Sequence, residues 1–224
     1  MKVSEAVARR MSVRAYQDRP VPTETILATL EKAARAPSGG NLQPWRIAVV
    51  NGERMTSFRK IMEGRISGSD PRAGGEKPEY SVYPKDLKEP YRSSRFKVGE
   101  DMYALLDIAR EDRPARLKWF ANNFRFFGAP AAIFCFIDRQ MGAAQWADMG
   151  MFLQTFMLLA QEEGLDTCAQ ECWSMYPQTV QDFCAMDGDL MVFCGVAIGY
   201  RDADKPVNQL HSDREPLENW VKVL

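Results

Sequence analysis

The sequence holds a single histidine, His211, in 224 residues. A Ser-His-Asp triad or a histidine-rich metal centre would have to be built on that one side chain. Cysteine is sparse and odd in number: Cys135, Cys168, Cys172, Cys184 and Cys194. These stand in apolar or strand-like surroundings, and Cys168-x-x-x-Cys172 lacks the spacing of zinc knuckles and dithiol redox motifs. Reduced core thiols are therefore expected, not a disulfide framework. Neither sign of charge dominates: Lys plus Arg is 29 against Asp plus Glu 30, a net −1. Domains that bind nucleic acid carry a basic surplus, so no such partner is expected. No run approaches the ~18 apolar residues that span a bilayer. The N-terminus, MKVSEAVARRMSVR, contains no signal-like apolar stretch. A cytoplasmic protein without a membrane partner is the expectation. Neither G-x-G-x-x-G after a strand nor G-x-x-x-x-G-K-[ST] occurs, so Rossmann and P-loop nucleotide sites have no support.

What is present suffices for a core. Hydrophobic residues make up 46% of the chain, enough to argue against wholesale disorder. Residues 1–224 read as one domain. Val3, Ala6 and Val7 share a face of a first helix that ends near Arg9 and Arg10. Thr23 is placed as the N-cap of a second helix, whose apolar face is Ile26, Leu27, Leu30, Ala33 and Ala34. Ile47–Val50, Ala131–Ile137, Leu165–Ala169 and Met191–Ile198 read as strands, the second as a central one because it is apolar throughout. Helices are expected through Phe58, Ile61 and Met62, at Asp101–Arg110, at Pro114–Phe127, and through Val180 and Phe183. Ala143–Ala160 carries apolar residues on all sides, so that helix is expected to be buried all round, which a subunit interface would achieve. From about 64 to 97, Gly, Pro, Ser and charge dominate, and a lid-like insertion or a variable surface loop fits equally. The tail ends in an amphipathic set, Leu217, Trp220, Val221 and Leu224.

Three segments carry chemistry. Arg10, Ser12 and Arg14 alternate in an extended stretch, so they face one side, and guanidinium forks with a hydroxyl between them suit a phosphate monoester. The same residues also read as a solvated basic helix end, which the helix dipole favours. Ala36-Pro37-Ser38-Gly39-Gly40-Asn41-Leu42-Gln43-Pro44-Trp45 is a small-residue loop whose amides could read a polar heterocycle. Turn chemistry explains its Pro and Gly but not its Asn-x-Gln-Pro-Trp. His211-Ser212-Asp213-Arg214 follows the last strand and offers a further arginine.

Together these segments resemble the nitroreductase family. The matching patterns are Arg10-Met11-Ser12-Val13-Arg14-Ala15-Tyr16, then Pro20-Val21-Pro22, then the complete Ala36–Trp45 motif, then Gly199-Tyr200, then Arg214–Leu217. They run in order from end to end. The resemblance implies a three-layer α-β-α, α+β sandwich with a mixed or antiparallel central sheet, assembled as an intertwined homodimer. It also implies FMN held at the subunit interface and NAD(P)H as electron donor. Arg10, Met11, Ser12, Arg14 and Arg214 would hold the flavin's phosphate, ribityl chain and pyrimidine end. Pro37, Ser38, Gly39 and Asn41 would reach it from the other subunit. Gln170 and Glu171 would lie beside N5, with Cys172 where many relatives have glycine. No side chain is implied as an obligate acid or base. The expected oxidants are nitroaromatics, or alternatively quinones or enones, and a non-catalytic flavin-binding dimer is the reading from a different class. Tyr80–Tyr91 and Trp119–Phe127 are the candidate walls of a substrate pocket, although aromatics at helical spacing equally serve a core.

Overall fold

A computed structural model describes residues 1–68 and 70–224. Four strands form one antiparallel sheet in the order β1-β2-β4-β3: β1 Arg46–Asn51, β2 Ala131–Asp138, β3 Asp166–Gln170 and β4 Leu190–Gly199. The apolar run of β2 lies centrally, where both faces must be covered. Ala132, Phe134 and Phe136 enter one apolar cluster, and Ala131, Ile133, Cys135 and Ile137 enter the other. That division is the two-residue period of a strand.

Helices cover each face. On the Phe134 side, α3 (Gly52–Arg65) contributes Met55, Phe58 and Met62, and α7 (Pro177–Cys184) contributes Val180. On the Ile133 side, α2 (Thr23–Ala33) contributes Ile26 and Ala33, and α6 (Ala143–Glu162) contributes Met149, Phe152, Leu153, Phe156 and Ala160. The result is the expected α-β-α sandwich. The short α1 (Val3–Arg9) packs on α6, and its exit closes an edge of the sheet. Ser12 bridges Thr167 in parallel, and Val13 N–H donates to the Thr167 carbonyl at 3.0 Å. The outer edge of β3 is thereby paired along part of its length. All five cysteines are free, and Cys135, Cys168 and Cys194 are buried.

Several expectations are corrected. Pro22, not Thr23, occupies the N-cap of α2; the Thr23 hydroxyl instead accepts from Asn51 Nδ2 at 3.3 Å. The helix expected at Asp101–Arg110 is α4, Tyr91–Leu105. It begins ten residues earlier, directly after Pro90. Its N-terminal half has no apolar stripe to read, and it is laced by pairs such as Lys97–Asp101 at 2.6 Å. The helix expected at Pro114–Phe127 breaks after α5 (Arg113–Phe120) into 3-10 turns, with Phe126 and Phe127 both at φ +52°. A continuous helix would splay Phe124, Phe126 and Phe127 around its axis, whereas here all three are buried.

The apolar face of α1 is only partly covered, since Ala6 is buried while Val3 and Val7 are exposed. Likewise α6 is sealed on its sheet-facing side but leaves Met151 exposed. The end of the tail forms a 3-10 turn, Leu217–Asn219, and leaves Leu217, Trp220, Val221 and Leu224 exposed. The first part of the 64–97 segment, which reads equally as a lid or a surface loop, is tied down between Pro71 and Tyr80. Tyr176 Oη donates to the Pro71 carbonyl at 2.6 Å, and the Thr179 hydroxyl donates to Glu76. Arg139 pairs with Glu79 at 2.5 Å, and Tyr80 Oη donates to the Phe193 carbonyl.

Candidate cofactor site

The turn out of α1 sets the site's geometry. Arg10 caps α1 in an extended conformation, and the following residues continue as the strip beside β3. Alternation then turns Met11 and Val13 inward, where both are buried, and leaves Arg10, Ser12 and Arg14 partly accessible. Arg14 is held at both ends. Its N–H donates to Asn208 Oδ1 at 2.8 Å, and its guanidinium donates to the Ser12 carbonyl at 3.1 Å. Asn208 is buried after β4 and also donates to the Ala15 carbonyl, so the strip cannot slide.

Arg10, Ser12 and Arg14 line a cleft of about 620 Å³ together with Leu210, His211, Ser212, Arg214 and Gln154 of α6. Two segments some 200 residues apart in sequence therefore meet. Among the described residues, no carboxylate lines this cleft. Three guanidiniums and two hydroxyls with no counter-charge form a donor set for a phosphate monoester. Arg214 currently donates to its own loop, at the Ser212 carbonyl and hydroxyl and the Asp213 carbonyl. Lys97 of α4 holds that loop through Asp213 at 3.0 Å.

Arg14 also lines a second, more apolar cavity of about 490 Å³, shared with Tyr16, Arg59, Trp119, Asn122, Arg125 and Phe127. The Arg14 guanidinium lies 6.0 Å from the Phe127 ring centre. The phosphate-type cleft and an aromatic-walled, cationic cavity thus abut at one arginine. Sequence reading missed Gln154, and reached Asn122 and Arg125 only as unnamed members of the Trp119–Phe127 stretch. They sit in stretches whose pattern is helical, and only the break at Phe126 and the packing of α6 bring them here.

Gln170 ends β3, three residues and roughly 10 Å beyond Thr167, and Glu171 opens the 3-10 turn that follows. Gln170 Nε2 donates to the Asn123 carbonyl at 2.8 Å, which fixes the amide, while its buried Oε1 has no partner. The Thr167 hydroxyl is likewise buried and unpartnered. Burial pushes the Cys168 thiol up, and nearby Arg14 only partly offsets this. Burial, with Cys168 adding to it, holds Cys172 well above the ordinary thiol range. Both thiols are therefore neutral at physiological pH and are not nucleophiles.

Glu171 is exposed as a residue, but partial burial of its carboxyl raises it from its ordinary 4.5 by desolvation. The folded state then holds its proton more tightly than the unfolded chain does. Stability should fall as pH rises from 4.5 through the raised value and then level off. In urea unfolding of the apoprotein at a series of pH values, Glu171→Gln should lose that fall and match the wild type in acid. An identical slope in both proteins would place the carboxyl in open water.

Pro37, Ser38, Gly39 and Asn41 do not line either cavity of the same subunit. They form an exposed turn, Gly39–Asn41, between α2 and β1. Of the candidate pocket aromatics, Phe124 and Phe126 are core, Tyr80 is anchored on Trp146 and Phe193, and Trp119 and Phe127 face the second cavity. Tyr83 and Tyr91 are exposed.

An antiparallel sheet between helical layers, with a carboxylate-free cationic cleft at its paired edge, defines an α+β domain equipped for a phosphorylated ligand. The chain belongs to the nitroreductase family, whose model matches residues 7–200. It is 35% identical over 218 residues to the 4-nitrobenzoate reductase of Pseudomonas putida, covering 97% of this chain and 93% of that protein. Among solved structures it is similar to the FMN and NADPH-dependent nitroreductase NfnB of sphigopyxis sp. strain HMH. That match has a TM-score of 0.95 and 46% identity, and covers 100% of this chain and 99% of the other. The FMN-dependent nitroreductase NfnB of Mycobacterium smegmatis, solved in complex with NADPH, aligns with a TM-score of 0.91 at 26% identity over the whole of both chains. No helix of the described residues is long and apolar enough to cross a membrane.

Proposed function

We propose that this protein is an FMN-dependent nitroreductase that takes electrons from NADH or NADPH and delivers them to nitroaromatic compounds, as a cytoplasmic homodimer. The observation that carries this reading is the cationic, carboxylate-free cleft of Arg10, Ser12, Arg14 and Arg214 on a nitroreductase fold. The donor set fits FMN: the phosphate needs guanidiniums and hydroxyls, and the orphaned Gln170 Oε1 and Thr167 Oγ1 are ready to pair. The homodimer is supported by apolar groups left exposed in a single subunit, including Val3, Val7, Met151 and Trp220. Five free thiols, three of them buried, suit a reducing compartment.

Arg10, Ser12 and Arg214 would hold the phosphate, with Met11 beneath as a buried apolar floor. Arg14 would stand at the junction with the ring cavity, where Arg125 adds a second cation and Asn122 an amide. The partner subunit's Pro37, Ser38, Gly39 and Asn41 would border the same group. When bound, FMN supplies a two-electron carrier between a nicotinamide and an acceptor. Cations fixed at the pyrimidine end favour negative charge developing there, and they need no reorganisation to do so. Cys168 and Cys172, kept neutral, do not compete as nucleophiles. His211 lines the phosphate-type cleft, and the titratable side chains of the ring cavity besides its arginines are Tyr16 and Lys205. Trp119 and Phe127 offer apolar faces beside it for a flat aromatic acceptor.

The test is an absorbance spectrum of the purified protein, followed by anaerobic NADPH or NADH and then 4-nitrobenzoate. A flavin band that bleaches with the nicotinamide and returns with the nitroarene is expected. Reoxidation only by quinones or enones would move the substrate class, and a flavin that never bleaches would make the protein a carrier. A chain that cannot be reconstituted with FMN would overturn the reading.

A further inference from the structure

Asp148 is a buried carboxylate on α6 that the proposed chemistry does not use. It accepts a hydrogen bond from the Gly39 N–H at 3.2 Å. One helical turn later on the same face of α6, Phe152 stacks on Trp45, with ring centres 4.8 Å apart and planes 14° apart. The segment between these two attachments is backbone that side-chain-bearing residues avoid: Gly40 at φ +58°, Asn41 at +58° and Gln43 at +50°. Its other hydrogen bonds are internal or run to the adjacent Arg46. Asn41 N–H donates to the Ser38 carbonyl at 3.0 Å, Gln43 N–H to Ser38 Oγ at 3.0 Å, and Arg46 to the Gln43 carbonyl at 3.1 Å. Strained, exposed backbone persists only where its surroundings over-determine it. Here the surroundings are two side chains of one helix.

We infer that Asp148 and Phe152 form a two-point clamp on residues 39–45, with Asp148 a positioning residue that fixes the left-handed turn presenting Asn41. The helix that carries the clamp is itself immobile, because Met149, Leu153 and Phe156 are buried against the sheet. The same helix lends Gln154 to the phosphate-type cleft, six residues and about 9 Å beyond Asp148. If the loop serves the partner's flavin, as the proposed function holds, α6 is the common support of two flavin sites. The link to flavin rests on that reading; the clamp itself does not.

Two variants remove the contact from opposite sides. Asp148→Ala removes the acceptor. Gly39→Pro removes the donor by putting a ring carbon where the N–H faces Asp148, and Ser38 before it is already extended, at φ −146° and ψ 145°, as a residue preceding proline requires. In the apoprotein, amide exchange of residues 41–43, whose N–H groups survive in both variants, is expected to accelerate at least tenfold in either variant, while the strands stay protected. FMN affinity should weaken about tenfold, and the double variant should be no worse than either single one. Asp148→Asn keeps an acceptor oxygen and should restore FMN affinity to within a few-fold of wild type. Unchanged exchange in both single variants would overturn the clamp. Accelerated exchange with unchanged FMN affinity would leave the clamp standing and overturn its link to the flavin. An Asn variant as poor as the Ala one would overturn the hydrogen bond as the cause.

Discussion

Arg14→Ala is expected to raise the dissociation constant for FMN roughly 10- to 100-fold, the range for losing a charged hydrogen-bonding partner. The fold should be little affected. The backbone bond from Arg14 N–H to Asn208 survives the substitution, and the guanidinium's only hydrogen bond among the described residues is to the neighbouring Ser12 carbonyl. The reason for so large an effect is position: Arg14 alone lines both the phosphate-type cleft and the aromatic cavity. Arg14→Lys should recover part of the loss, since it keeps the charge but not the planar fork. Titration of the apoprotein with FMN, read by quenching of flavin fluorescence, measures this directly. Wild-type affinity in Arg14→Ala with an intact fold would remove the central residue from the site.

Trp173→Ala is expected to destabilise the apoprotein by about 3–5 kcal/mol, the range for truncating a buried large aromatic side chain. Trp173 is fully buried beneath β4 and packs against Phe58, Phe124, Phe126 and Phe134, with ring centres 4.6 to 5.7 Å away. The sheet is shaped to admit it. A Cβ on Gly195 would lie 2.6 Å from the indole, so β4 carries glycine where the ring passes. Because Trp173 follows Gln170 and Glu171 by only two or three residues, its loss should also loosen the end of β3. Chemical unfolding would give the stability change, and FMN titration of the surviving folded protein would show the loosening. A loss below 1 kcal/mol would mean that the aromatic cluster collapses into the space without strain.

How much of this could be read in advance depends on how local the cause was. The four strands were legible because apolar runs of strand length, bounded by turns, have few other solutions; β2 is the clearest. The facing of Arg10, Ser12 and Arg14 followed from alternation, once the residues after α1 were read as extended. The start of α4 was not legible, because a polar helix held by ion pairs such as Lys97–Asp101 has no apolar period. Nor was the break at Phe126 and Phe127, where burial of three aromatics overrides the helical preference of the stretch. The patterns at Ala36–Trp45 and Arg214–Leu217 pointed to the family, but their composition alone could not say what each residue touches.

The α-β-α layering was implied only by the family resemblance; by itself, then, the sequence determined the four strands of the sheet and the shared facing of Arg10, Ser12 and Arg14. Both depend on periodicity and side-chain type, which are written in the order of residues. That Arg214 meets Arg10 was implied by the family resemblance; only the tertiary structure decided that Asn122 and Arg125 meet Arg14 and that Asp148 holds Gly39. Those meetings depend on which segments the sheet and α6 bring together, and the distance along a chain carries no information about the distance across a core.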